Sequence, residues 1–232
     1  MPFFYMDYWY LVLVVPALLV TLWAQIKVQS TFKKYSQIGT RQGLTGDEAS
    51  RIIQRQGGIT VPIERVQGSL TDHYDPQSNV IRLSEPVYGV NSISAIGVAA
   101  HETGHALQYE QGYGPIRLRA AIVPVTRFGS VLAPYLVVAG LIFSIPVLAY
   151  AGIAFFSLAV LFQLVTLPVE FNASSRAIRA LEEGGLMTSE ELAGAKKVLW
   201  AAAMTYVASL FLALMSLLRM VILVLGRGRN HR

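Results

Sequence analysis

Apolar positions dominate the chain in three long runs, and the polar positions are gathered between them. Tyr8 to Ile26 carries no charged side chain. Those 19 residues, at about 1.5 Å each in a helix, come close to the ~30 Å hydrocarbon core of a bilayer. A second uncharged run, Phe128 to Val169, has 42 residues. It is too long for one span and suits two joined by a tight turn near Pro146. Val198 to Leu218 is uncharged as well and is again long enough to cross.

The intervening polar stretches predict shorter elements. Thr45-Gly46-Asp47-Glu48 spells a capping box that opens a surface helix over Ala49 to Gln56, closed by Gly57-Gly58. Ile59 to Val66 is rich in β-formers, and Asp75-Pro76-Gln77-Ser78-Asn79 is turn chemistry. Beyond it Val80, Arg82 and Ser84 alternate with Ile81 and Leu83, which predicts a half-buried strand closing a small hairpin. Asn91-Ser92 caps a helix containing Gly97 and Gly104. Two mid-helix glycines cost about 1 kcal/mol each relative to alanine, so they point to close approach of another helix or of a substrate backbone. Thr188-Ser189-Glu190-Glu191 is a second capping box.

The expected fold is therefore mostly α and integral to the membrane, with a small α+β region. The expected divisions are an N-terminal transmembrane anchor (1–26), a soluble region (27–127), a transmembrane helical hairpin (128–169), a helix over 170–197, and a C-terminal transmembrane helix with a basic tail (198–232). Leu22-Trp23-Ala24 lacks the small-x-small pattern of a signal-peptidase site, so the first helix reads as a retained anchor.

Charge sets the orientation. Lys27, Lys33, Lys34 and Arg41 follow the first run at once, which places the N-terminus outside and residue 27 onward in the cytoplasm. The hairpin returns to the side it left, so Glu170 surfaces there too. Arg227, Arg229 and Arg232 leave the side of the tail open, because one crossing by the last helix would put them outside. Only 14 % of residues are charged, against about 25 % in soluble domains. The net charge of +5 comes from basic residues between apolar runs, without the aromatic interleaving of a nucleic-acid surface, so no nucleic-acid partner is expected. The absence of cysteine excludes disulfides, thiolate metal sites and a cysteine-ligated deformylase.

One polar interruption carries chemistry. In HETGH, His101 and His105 stand one helical turn apart on one face, where both imidazoles can reach one ion. Glu102 is rotated about 100° around the helix, away from the ligand positions and towards a metal-bound water. Two neutral histidines and one carboxylate leave a zinc ion with net positive charge and an open position. Glu102 would then act as general base. Two of the chain's four histidines fall in this motif, within the apolar run IGVAAHETGHAL, where an unpartnered charge is costly. The histidines outside it, His73 and His231, read as structural and solvated respectively. Gln108 and Gln111 occupy the positions where a metzincin has glycine and histidine, which excludes that class. Glu170 is the best third ligand; the bland alternative is an acidic residue at a helix N-terminus.

AAHETGHALQ, DHYDPQSNVIRLSEPVYG and LPVEFNASSRA together resemble the bacterial neutral zinc metallopeptidases of the YugP-like membrane family. The resemblance covers nearly the whole chain. It implies a membrane-embedded zinc peptidase with a zincin-like catalytic region, His101 and His105 as ligands and Glu102 as catalytic base. A more distant likeness is to the CAAX-prenyl-protease and heat-shock membrane metallopeptidases, whose ligand glutamate opens an E-F-x-A-D pattern. Here that stretch is Glu170-Phe171-Asn172-Ala173-Ser174, which supports Glu170 as ligand. Ser174 replaces an aspartate that orients a ligand histidine, so Ser174, Asn172 or Asp72 is expected in that role.

The resulting expectation is a gluzincin-like metalloendopeptidase in the bacterial cytoplasmic membrane. It would hold one Zn2+ per chain, its active site would face the cytoplasm, and it would act on peptide or protein substrates at the bilayer. Arg176 is a weak candidate beside the metal or as an oxyanion donor. Val80, Ile81, Arg82 and Leu83 are expected either to offer a strand edge to an extended substrate or to be fully paired within a sheet. The rival class is a non-enzymatic membrane scaffold or adaptor stabilised by zinc, which would want four protein ligands rather than three. An intramembrane protease would want an aspartate within the hairpin, which has no charged residue.

Overall fold

The computed structural model describes residues 7–229, apart from the side chains at 125, 127 and 227–229. His231 and Arg232 lie outside the described residues, as do the side chains of Arg127, Arg227 and Arg229. The order is a π-helical turn at Tyr10–Val14, then α1 (Val15–Tyr35), α2 (Gly46–Gln56), β1 (Ile63–Val66), β2 (His73–Asp75), β3 (Val80–Ser84), α3 (Ile93–Glu110), α4 (Gly114–Ile142), α5 (Pro146–Glu183) and α6 (Ser189–Arg229). The chain is thus mostly α with one small sheet.

Two units divide the chain. The first takes the segment up to Ala24, Leu118–Leu167 and the segment from Thr205. Its interior is made where Val137 and Leu141 meet Ala149, Met220 and Val224. α4 and α5 approach closely through small residues. A Cβ on Gly140 would lie 2.5 Å from the Ala149 nitrogen, and one on Gly152 would lie 2.7 Å from the Ala133 carbonyl. Ser144 takes a left-handed φ of 57° between the two helices, and Pro146 opens α5, where a missing N–H costs nothing. Among the described residues, three helical stretches are long and apolar enough to cross a membrane: Tyr10–Tyr35, Pro146–Glu183 and Ser189–Gly226. The pair Gly114–Pro124 and Phe128–Ile142, bent by 50°, makes a fourth if it counts as one span.

The second unit comprises Gln25–Arg117 and Pro168–Met204. Its core joins Phe32 and Tyr35 of α1, Ile53 of α2, Ile81 and Leu83 of β3, Ile96 and Ala100 of α3, Leu181 of α5 and Val198 of α6. Local sequence sets the starts of its helices. The Thr45 N–H donates to Glu48 Oε2 at 2.9 Å, and the Thr188 N–H donates to Glu191 Oε2 at 2.8 Å, the return arm of a capping box in each case. The Ser92 hydroxyl accepts from the Ala95 N–H and caps α3. Asn91 instead holds the preceding loop, accepting from the Thr40 N–H and hydroxyl.

The sheet has the order β1-β3-β2. β3 pairs parallel with β1, Ile63 opposite Ile81, and antiparallel with β2, Tyr74 opposite Ile81. Ile81 and Leu83 point into the core as expected, but Val80 and Ser84 are buried as well, so the central strand is covered on both faces rather than half-buried. Arg82, on the other face, bonds Asp75 at 2.8 Å and Glu64 at 3.2 Å. That hydrogen bond from Arg82 holds the Asp75 carboxyl well below the usual carboxylate range. Of the two readings of Val80, Ile81, Arg82 and Leu83, the substrate edge falls. β3 is the middle strand, and its neighbours on both sides already use its backbone groups.

Candidate metal centre

α3 carries the motif and α5 supplies the carboxylate, both within the second unit. Their approach depends on Gly104. A Cβ there would fall 2.6 Å from the Ala173 carbonyl of α5, so a residue without a side chain lets the two backbones meet. A Cβ on Gly97 would meet Ala195 of α6 at an ordinary 3.5 Å. Of the readings open to the two glycines, helix approach is the one realised.

The contact aligns His101, His105 and Glu170. Glu170 lies in the interior of α5, which runs unbroken from Pro146, so the helix-N-terminal reading of this residue does not hold. Its Oε2 is 3.3 Å from His101 Nε2 and 3.5 Å from His105 Nε2. The carboxylate is buried to 2 % exposure. One donor atom from each residue lies within 4.8 Å of the other two, and among the described residues no other group of three or more such side chains meets this test. Zinc bonds of about 2.0–2.1 Å at tetrahedral angles place ligand atoms about 3.3 Å apart. The separations to Glu170 therefore suit a shared zinc ion.

Hydrogen bonds behind the rings favour the same use. Arg176 has only donors, and its Nε reaches Asn172 Oδ1 at 2.7 Å, which identifies that atom as the amide oxygen. The same oxygen accepts from Gln108 Nε2 at 2.9 Å, and the Val169 carbonyl accepts from it at 2.8 Å. Gln108 Oε1 is thereby turned to His105 Nδ1, 3.0 Å away, and must accept a hydrogen bond from its N–H. The proton on Nδ1 leaves His105 Nε2 with its lone pair towards Glu170 and His101, the form a metal ligand requires. On the other ring, Ser174 Oγ stands 3.1 Å from His101 Nδ1.

Glu102 points elsewhere, as its place on the helix dictates. Its Oε2 accepts from the Tyr74 N–H of β2 at 3.0 Å. Burial raises its pKa to about 7; the nearby His101 opposes the rise, and the Glu170 carboxylate adds to it. Asp72 places both oxygens on Ser84, its N–H and its hydroxyl, each at 2.7 Å. It fixes the entry to β2 and does not orient a histidine. His73 Nδ1 lies 2.8 Å from the Thr71 carbonyl and stays outside the donor cluster. Arg176 also reaches Gln111 and stacks over Tyr113, 5.9 Å from the ring centre. It buttresses Asn172.

Gln108 is the participant that sequence reasoning missed. A signal existed in its spacing: it stands three residues after His105, on the same face of a mostly apolar helix.

The comparisons agree with this arrangement. A family model described as "Putative neutral zinc metallopeptidase" matches residues 10–225. The "Putative membrane protease YugP" of Bacillus subtilis (strain 168) is 50 % identical over 223 residues, covering 95 % of this chain and 99 % of that protein. No solved structure matches the chain. With the match running almost from end to end, through the apolar helices as well as the motif, the chain belongs to the neutral zinc metallopeptidase family and is a membrane protein of the protease class.

Proposed function

We propose that the protein is a zinc-dependent endopeptidase acting on peptide or protein substrates at the membrane. His101 Nε2, His105 Nε2 and Glu170 Oε2 would hold one zinc ion, and Glu102 would serve as general base. The observation that carries this reading is the convergence, among the described residues, of three donor atoms rather than four, beside a carboxylate that stands outside the cluster. A structural zinc site is closed by four protein ligands, and a catalytic one keeps a position for water or substrate.

When bound, zinc supplies Lewis acidity to a peptide carbonyl and lowers the pKa of a water at its open position. The chain's own residues do the rest. Gln108 and Ser174 keep the two imidazoles turned inward. The Tyr74 N–H anchors one oxygen of Glu102, and the other takes the proton of the attacking water and delivers it to the leaving amine. An extended substrate finds β3 fully paired. It pairs instead along the outer edge of β2 through backbone groups other than the Tyr74 N–H, which holds Glu102. The lysines that follow the first apolar run favour a site on the cytoplasmic side.

The experiment is zinc content per chain in detergent-purified wild type, Glu102→Gln and Glu170→Gln, with hydrolysis of an unfolded protein substrate followed in parallel. Wild type and Glu102→Gln are expected to carry about one equivalent each, with hydrolysis only in wild type. Glu170→Gln should carry far less zinc. Full zinc in Glu170→Gln would remove it from the ligand set, and hydrolysis by Glu102→Gln would remove the general base.

A further inference from the structure

The second unit holds a basic groove that the proposed peptidase chemistry does not use. It has a volume of about 600 Å³ and lies between the last turns of α1 and the first turns of α6. Lys27, Thr31 and Lys34 line it from one helix, at spacings of four and three residues that put them on one stripe. Lys196, Lys197 and Trp200 line it from the other. Among the described residues no carboxylate lines it. Four ammonium groups brought into one groove repel one another unless an anion lies between them.

The position restricts what that anion is. Lys27 is the first charge after the uncharged run ending at Ile26, and Lys196 and Lys197 immediately precede the one beginning at Val198. Lys27, Lys196 and Lys197 therefore stand where an apolar helix leaves the hydrocarbon, at the level of lipid phosphates, with Lys34 two turns farther along α1. Trp200 is 53 % exposed, as an indole at the headgroup boundary is. A second groove, of about 310 Å³, shares Lys196 and Trp200 with the first and is otherwise lined by Phe171, Ile178, Leu199 and Ala203, with the hydroxyl residues Ser174 and Ser175 along one side. A cationic groove joined to an apolar one matches a ligand with a negative head and a hydrocarbon tail.

We propose that these grooves bind one anionic phospholipid, its phosphate among Lys27, Lys34, Lys196 and Lys197 and an acyl chain along α5 and α6 beyond Trp200. The basic groove shares no residue with the zinc site; the second groove borders it at Ser174, whose hydroxyl stands 3.1 Å from His101 Nδ1. Ordinary cytoplasmic lysines would be spread around their helices and would bind a charged surface without a fixed site. Here they converge, so a defined stoichiometry is expected.

The test is native mass spectrometry of the full chain in detergent with phosphatidylglycerol or phosphatidylcholine. Wild type is expected to retain one phosphatidylglycerol in preference to phosphatidylcholine. Replacing Lys27, Lys34, Lys196 and Lys197 by Gln should weaken retention by up to about six hundredfold, since each basic residue near an anionic headgroup contributes about fivefold. A charge-matched control with the exposed Arg41, Arg51, Arg55 and Arg65 replaced by Gln should keep the lipid. Equal loss in the control, unchanged retention in the lysine variant, or equal retention of phosphatidylcholine would overturn the site. Displacement of the lipid by excess inorganic phosphate would overturn it in favour of a phosphate site. If the fourfold variant fails to fold, Lys196→Gln alone and quenching by brominated phosphatidylglycerol decide. Quenching is expected in wild type and should fall in Trp200→Phe; undiminished quenching there would also overturn the proposal.

Discussion

Gln108 has no place in the HETGH motif, yet its amide sets the state of a motif histidine. Its two ends are committed in opposite senses: Nε2 to the Val169 carbonyl and Asn172, Oε1 to His105 Nδ1. Gln108→Leu is of similar size and removes both. The Val169 carbonyl is still satisfied within α5, so the expected loss falls on His105. Groups that orient a metal-bound histidine contribute about 10- to 100-fold to metal affinity. Competition with a chromophoric chelator should show zinc affinity lowered by that factor, and unchanged affinity would make Gln108 a packing residue. The pairing of His101 with His105 was legible from their spacing alone, because a helix turn fixes it. Gln108 was not, since its partners on α5 lie 61 and 64 residues away and no local rule brings them near.

At the scale of elements, the site depends on how closely α3 and α5 approach. The limit is set where Gly104 faces Ala173, since a Cβ would meet backbone oxygen at 2.6 Å and backbone cannot rotate away. Gly104→Ala raises helix propensity by about 1 kcal/mol but forces the helices apart, and such overpacking costs about 1–3 kcal/mol. The expected outcome is a lower Tm and a lower zinc content together, because Glu170 moves with Ala173 on the same helix. Gly97→Ala, whose Cβ finds ordinary contact at Ala195, should keep both. A Gly104→Ala protein with full zinc and an unchanged Tm would show that the helices have room to give. The sequence pointed to close approach at these glycines without naming the neighbour. It predicted β3 from alternation, but edge and centre look alike from one strand; its central place comes from parallel pairing with β1, 18 residues earlier at Ile63 and Ile81. Expecting a new helix at 170 treated the return of charge as a boundary. Charge changes what a helix faces and does not end it, and α5 continues through Pro168 to Glu183.

For the whole molecule the open matter from the sequence is the side of the basic tail, and one ion pair within the first unit bears on it. Asp7 immediately precedes the first uncharged run, and Arg219 immediately follows the last. Arg219 Nε donates to Asp7 Oδ2 at 2.9 Å, and its guanidinium lies over the Tyr10 ring, 5.2 Å from the centre. Two charges bordering hydrocarbon are tolerated together far better than either alone. The start of the first apolar helix and the far end of the last are thus held at one level. This leads to the expectation that α6 crosses completely and that its far end emerges on the side of Asp7. The charge rule disfavours that arrangement for three arginines, yet the 15 basic residues before Val221 and outside this pair, from Lys27 to Lys197, outnumber them on the other side. Because the chain has no cysteine, single replacements report without background. In intact cells an impermeant maleimide is expected to label the exposed Gly226→Cys and to reach the α1-terminal Ser36→Cys only after lysis. Protection of Gly226→Cys until lysis would put the two helix ends on opposite faces, which an Asp7 to Arg219 bond does not allow.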